Sequence, residues 1–172
     1  ETTGNEQKIK LSTTTGYFSN TIPIVSGATV FITNSNSQVF TFTEDGTAGT
    51  YKCYNFIPVV GENYTLTVIY LGETYTSSEK LLNTPAVTRI EQVNDGGILG
   101  NEKEVKFFFN DLQNETNQYF LRIDDPYKVI PEYAVLEDRF FQNNEMFGLY
   151  FSEDLKTGDT LKFTLNGVSR NY

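Results

Sequence analysis

Twenty-two Asp and Glu residues and no histidine set the chemistry open to this chain. Acids without imidazole can bind hard cations, or work in pairs as general acid, base or nucleophile. Several of them stand where apolar runs end: Asp111, the pair Asp124-Asp125, Glu137 and Asp138. Calcium takes about six to eight oxygens, and carboxylates gathered from separate loops can supply them. On that ground Asp124, Asp125 and Asp138 are the candidate metal ligands, with calcium the cation they would suit, although no Asp-x-Asp-x-Asp-Gly loop is present. The structural alternative is a set of solvated acids that limit strands. No other cofactor is expected. Two facing carboxylates also make a glycosidase when held about 5 Å or about 6.5–9.5 Å apart across a sugar cleft. That makes a carboxylate-based hydrolase one reading of these acids.

Other catalytic kits are missing. A Ser-His or Cys-His nucleophile fails for want of an imidazole base, and no Ser-x-x-Lys motif stands in a suitable frame. Gly96-Gly97 with Gly100 does not lead into Lys-Ser/Thr, so no phosphate-cradling loop is read there. Cys53 is the single cysteine, which excludes an internal disulfide and a zinc cage. It alternates with Tyr51 and Asn55 on one face, so a buried, inert thiol is expected.

Aromatic residues are the other chemical resource. They make up 15 % of the chain, all Phe and Tyr, with no Trp. Phe31, Tyr54, Phe108, Phe120 and Tyr150 fall on the phase opposite the main apolar faces. Exposed rings on a sheet stack on sugars or dock a partner, and Phe108, Phe120 and Tyr150 are therefore the candidate ligand-binding residues. The structural alternative is a cover over both faces.

The elements that must carry these residues are strands. Tyr64, Leu66, Val68 and Tyr70 alternate with Thr65 and Thr67, and Leu161, Phe163 and Leu165 alternate with Thr160, Lys162 and Thr164. A period of two marks a half-buried strand. The same pattern covers Lys8–Thr13, Ala28–Thr33, Val39–Thr43, Thr50–Tyr54 and Thr74–Ser78. It returns at Lys103–Phe109, where Val105, Phe107 and Phe109 oppose Phe108, and at Tyr119–Ile123. Asp138–Phe141 and Phe147–Phe151 are aromatic runs. Turn signals such as Asp45-Gly46, Gly61-Glu62-Asn63, Leu71-Gly72-Glu73 and Thr157-Gly158-Asp159 recur every 8–12 residues or so, as in a sandwich or barrel. Glu132–Arg139 is the only helical candidate, and it is short and weakly patterned. Asn83-Thr84-Pro85 interrupts the pattern, since proline cannot donate to a central ladder. The expectation is an all-β chain of two β-sandwich-like units, residues 1–84 and 85–172.

The formal net charge of -9 and the pI near 4.5 disfavour nucleic acid and anionic lipid as partners. No stretch approaches the roughly 18 apolar residues of a membrane helix. Beginning at Glu1 rather than Met, the chain is expected to be a processed or engineered fragment without its targeting segment. Ending at Tyr172 without a closing turn, its second unit is expected to be incomplete. Asn63-Tyr64-Thr65 and Asn114-Glu115-Thr116 match the N-glycosylation pattern, and Asp159-Thr160-Leu161 resembles a short bacterial O-glycosylation signal.

Three stretches carry a resemblance in the first unit: Ser26-Gly27-Ala28-Thr29-Val30, Gly49-Thr50-Tyr51 and Gly61-Glu62-Asn63-Tyr64-Thr65-Leu66-Thr67-Val68. Their order resembles the prealbumin-like, carboxypeptidase-regulatory-type sandwich. The chain as a whole is similar to a family of Bacteroidetes outer-membrane lipoproteins known as domain of unknown function 4249. The matching stretches are Phe18-Ser19-Asn20 before Val25–Ala28, the Thr41–Gly46 turn, the Gly61–Thr76 hairpin, Asn117–Ile123, Asp138–Phe141 and Leu155–Thr160 running on to Ser169–Tyr172. The lipidated cysteine and first strand of that pattern are not among these residues, so the anchor is implied by the resemblance alone. The family lends no functional residue. It implies a setting: attachment to the outer membrane or cell surface, often beside TonB-dependent transporters.

The leading expectation is therefore a non-enzymatic cell-envelope lipoprotein module, an accessory or ligand-binding component beside an outer-membrane TonB-dependent transporter. A carbohydrate-binding or adhesion module with a glycan partner is the alternative. A carboxylate-based hydrolase is the third reading.

Overall fold

The computed structural model describes residues 6–97, 99–112, 116–139 and 144–170. Phe140-Phe141 and the Asn114-Glu115 part of the second glycosylation pattern lie outside those residues. The described residues form twelve strands and no helix: β1 Gln7–Lys10, β2 Thr29–Asn34, β3 Val39–Glu44, β4 Thr50–Cys53, β5 Asn63–Tyr70, β6 Glu73–Lys80, β7 Val87–Gly96, β8 Glu102–Asn110, β9 Gln118–Asp124, β10 Glu132–Glu137, β11 Glu145–Ser152 and β12 Lys162–Val168. The chain divides into two compact units, Glu1–Leu81 and Leu82–Tyr172.

In the first unit six antiparallel strands make one sheet in the order β1-β4-β3-β2-β5-β6. Strand β3 divides its length between two partners. Val39 to Phe42 pair with β2, and Thr43 and Glu44 pair with β4. The sheet turns a corner there, and its two halves curl over a shared core, the sandwich principle carried out by one sheet. Val30, Phe40, Phe42, Tyr51, Cys53 and Phe56 are buried in it. Ile9, Leu66 and Val68 pack against it from the far strands. Alternation decides which side chains these are: in β5 Leu66 and Val68 face inward and Thr65 and Thr67 outward. Cys53 is buried as expected, and its thiol donates to Asn55 Oδ1 at 2.9 Å.

The second unit holds two three-stranded antiparallel sheets, β10-β9-β12 and β11-β8-β7. Their inward faces supply Phe107, Phe109, Tyr119, Leu121, Ile123, Met146 and Tyr150, with Phe163 and Leu165 packed alongside. Rings interlock: Phe107 meets Phe163 at 4.8 Å between centroids, and Phe109 meets Tyr119 edge-on at 5.2 Å. Each such ring, once buried, contributes about 2–3 kcal/mol of transfer free energy. Gly148 lies opposite Phe107 in the β11–β8 register. A Cβ there would fall well inside contact of the Phe107 ring, so only glycine admits that ring.

Two expectations need correction here. The segment proposed as helical, Glu132–Arg139, carries β10, which pairs along β9 from Glu132↔Ile123 to Glu137↔Gln118. Six residues cannot hold a helix against such a ladder. Tyr150 does not sit opposite the core face but in it, 3 % exposed. Strand β11 turns Met146, Gly148, Tyr150 and Ser152 inward, and leaves the more apolar set, Phe147, Leu149 and Phe151, facing out.

Candidate functional site

Strand β9 organises the acids of the second unit, because chain carrying them crosses at both of its ends. At its C-terminal end Asp124 and Asp125 part company. Asp124 is gripped by Arg122, with Nε 3.0 Å and Nη2 2.6 Å from Oδ1, which holds its carboxyl below the ordinary value. Asp125 turns inward and is 5 % exposed. Its Oδ2 accepts from Tyr150 Oη at 2.6 Å, and its Oδ1 accepts from the Tyr127 N–H at 2.7 Å. Burial, and then the Asp125 carboxylate, push the Tyr150 phenol up to about 12.

At the N-terminal end of β9 a second buried pair repeats the arrangement. Tyr119 Oη donates to Asp111 Oδ1 at 2.9 Å, and burial together with that acid raises the tyrosine. Just before β9, Asn117 stands opposite Asp138, which follows β10. The Asp138 N–H donates to Asn117 O at 3.3 Å, and the Asn117 N–H donates to Asp138 Oδ2 at 2.7 Å. A side-chain carboxylate thus takes the place of a ladder carbonyl and closes the sheet end.

Asp138 is fully buried, and its other oxygen, Oδ1, has no partner among the described residues. Ser169 Oγ, just past β12, is also buried and without a partner among the described residues. The ladder explains why the two come together. Gln118 pairs with Glu137 on one side and Val168 on the other. The next row of the sheet is therefore Asp138, Asn117, Ser169, on the opposite side-chain phase. Strand spacing places the outer two about 10 Å apart, with Asn117 between them. Both line a cavity of 260 Å³, whose rim carries Glu137, Arg139 and Arg170. Neither arginine forms an ion pair among the described residues.

The candidate metal ligands do not meet. Asp124 and Asp125 lie at one end of β9 and Asp138 at the other, roughly 20 Å apart at the rise of a strand. Among the described residues no group of three or more His, Cys, Asp or Glu side chains is placed to hold a metal ion.

The candidate ligand-binding rings separate as well. Phe108 is 8 % exposed, because the Arg89 guanidinium lies 3.5 Å from its centroid and Phe147 packs beside it. Arg89 is held in place by Glu91 at 3.0 Å and by Glu145. Phe120 is half-buried and stacks on Tyr133 at 5.4 Å and 16°. Tyr150 belongs to the Asp125 network. Of the other off-phase rings, Phe31 is half-buried, and Tyr54 is exposed with its hydroxyl on Asp45 Oδ2 at 2.9 Å.

Sequence reasoning passed over Ser169, Arg170 and Asn117. The only signal that could have found them is register, since each becomes notable by the row it shares with Asp138. It also passed over a second cavity, of 470 Å³, in the first unit, lined by Leu11, Val25, Val68, Tyr70 and Tyr75 near the open edge of the curled sheet.

Fold and site together define a class: an all-β protein of two units with a polar cavity at the end of a small sheet and no imidazole chemistry. The chain belongs to the family described as domain of unknown function (DUF4249), whose family model matches residues 1–172. No curated protein matches it.

Proposed function

We propose that this chain is a non-enzymatic binding module of the bacterial cell envelope, lipid-anchored at the outer membrane in its full-length form. It would serve as an accessory or ligand-binding component beside a TonB-dependent transporter. The observation that carries this reading is the reversed phase of β11. Phe147, Leu149 and Phe151 are 45 %, 38 % and 36 % exposed while glycine and serine face the core. An apolar strip held outward on an edge strand is the kind of surface that a protein partner covers. Lys106, paired with Glu104, lies 5.9 Å from the Phe147 ring and borders that strip. Among the described residues no helix is long and apolar enough to cross a membrane, so attachment in this reading comes from a lipid.

The test is recovery of the full-length protein from native membranes with its partners cross-linked. Co-recovery of a transporter, reduced when Phe147 and Phe151 are both changed to Ser, is the expected result. Recovery of the protein alone from the soluble periplasmic fraction would end the proposal.

A second reading, a carbohydrate-binding or adhesion module, is favoured by the stacked Phe120–Tyr133 pair, with Tyr133 54 % exposed. Flat aromatic surface is what a sugar face packs on. A glycan array with and without a chelator tests it, and silence in both conditions removes it.

A further inference from the structure

The cavity at the end of the β10-β9-β12 sheet has a composition that selects a ligand. A buried carboxylate oxygen without a donor costs several kcal/mol, more than a neutral polar atom left in the same position. Asp138 Oδ1 is such an atom, and Ser169 Oγ is a second unmet group lining the same cavity. The carboxylate oxygen calls for a hydrogen-bond donor from whatever fills the space, and the Ser169 hydroxyl can donate or accept. The rim adds one more acid, Glu137, and two cations, Arg139 and Arg170. Glu137 is already engaged by Gln118 Nε2 at 3.1 Å. The arginines are not engaged in ion pairs among the described residues.

Donor demand at the base and cations at the mouth describe a site of two signs. A volume of 260 Å³ takes several water molecules, at about 30 Å³ each, or one organic molecule of about ten heavy atoms. Among the described residues no aromatic ring lines it, so the described lining offers a sugar ring no stacking platform.

We propose that this cavity binds a small zwitterion, a free α-amino acid. Its ammonium group donates to Asp138 Oδ1, and its carboxylate is met by the Ser169 hydroxyl and by Arg139 and Arg170. Ammonium to buried carboxylate is a charge-assisted bond, and arginine is suited to a carboxylate by its forked donors. Asn117 between the two base residues is held by Asp138, so the floor of the site is fixed before a ligand arrives. The inference does not depend on the envelope reading, since it rests on the sheet end alone.

The experiment is isothermal titration calorimetry of the 172-residue chain with each of the twenty standard L-amino acids. Those that bind are then repeated as N-acetyl and as carboxamide derivatives. At least one free amino acid is expected to bind with Kd of about 1 mM or tighter, and each derivative to lose about tenfold or more. Asp138→Asn and Ser169→Ala should each weaken binding by about tenfold, and Arg139→Ala with Arg170→Ala should weaken the free acid but not its carboxamide. Asp138 also closes the sheet end, so Ser169→Ala is the variant that keeps the test decisive if Asp138→Asn fails to fold. The proposal is overturned by any of three results: no heat from any amino acid at about 10 mM, which leaves water as the only occupant; N-acetyl derivatives that bind as well as their parents; or unchanged binding in Ser169→Ala.

Discussion

In the first unit the buried hydroxyl of Tyr51 is satisfied by main chain. It accepts from the Ala28 N–H at 2.9 Å and donates to Val25 O at 3.1 Å. In the second unit the equivalent task falls to carboxylates: Tyr119 on Asp111 and Tyr150 on Asp125. Both solutions bury a large ring with its polar end met, and both stabilise a core. They differ in what they tie that core to. A peptide partner carries no charge, so packing around Tyr51 is independent of protonation of its partners. A carboxylate partner links ring packing in the second unit to the charge on two buried acids, and a third buried acid there, Asp138, keeps an oxygen open toward a cavity. The first unit is built as a curled scaffold, and the second as a polar-rimmed sandwich whose ring packing is tied to buried acids.

The largest effect that would break this contrast is a loss confined to the second unit. Gly148→Ala would force a methyl into the space of the Phe107 ring, and with it displace Phe163, which packs on that ring. Overpacking of that kind costs about 3 kcal/mol. Hydrogen exchange followed strand by strand is the measurement. Protection should fall across β8, β9 and β11 and stay as it was in β2, β3 and β5. Equal loss in both sets would mean that the two units do not unfold separately.

The fate of Gly148 also shows where sequence stops informing structure. Alternation located the inward residues of β5, β8 and β9 from the sequence, because in each of them one phase is clearly more apolar than the other. In β11 it could not. Phe147, Leu149 and Phe151 outweigh Met146, Gly148 and Tyr150 in hydrophobicity, yet the second set is inside. The phase is set across the sheet: Phe107 needs a glycine opposite it, and Asp125 needs the Tyr150 hydroxyl. Neither requirement is local. The same holds for the cavity. Asp138 was legible as an acid at a strand end, but Ser169 joins it only through the β9 ladder, thirty-one residues further along the chain. Asp124, Asp125 and Asp138 look alike in sequence, and β9 holds them apart.

A middle-sized effect sharpens the comparison directly. Tyr150→Phe and Tyr119→Phe each remove a donor from a buried carboxylate, which should cost about 1.5–3 kcal/mol. Tyr51→Phe removes two neutral bonds, at about 1 kcal/mol each. Urea unfolding at neutral pH reads the loss per bond, and equal losses per bond would erase the distinction between the units. Alkaline pH gives a second readout. Tyr150 titrates at about 12 in the folded chain against about 10 when unfolded. The fold favours the protonated phenol, so its stabilising effect is complete below pH 10. Between about 10 and 12 the unfolded chain releases a proton that the folded one keeps, and stability falls as pH rises through that window. Tyr119, raised in the same direction, adds to the fall. Tyr150→Phe should flatten this limb, and a limb of unchanged steepness would assign it elsewhere.

The smallest expected effect belongs to the first unit and runs in the opposite direction. The β5–β6 hairpin turns through Leu71 and Gly72, at φ 51° and 84°. Two successive positive φ values define the turn that matches strand twist and favours Asn-Gly. Gly72 meets that demand. Leu71 does not: it is 85 % exposed, so it gains little burial in exchange for a left-handed backbone. Leu71→Asn should therefore stabilise the first unit by about 0.5–1 kcal/mol, and Gly72→Ala should cost about 1 kcal/mol. The urea midpoint of the β2–β5–β6 region is the readout, with the second unit as internal reference. If Leu71→Asn instead destabilises, the Leu71 side chain makes an apolar contact that outweighs the strain of its left-handed backbone.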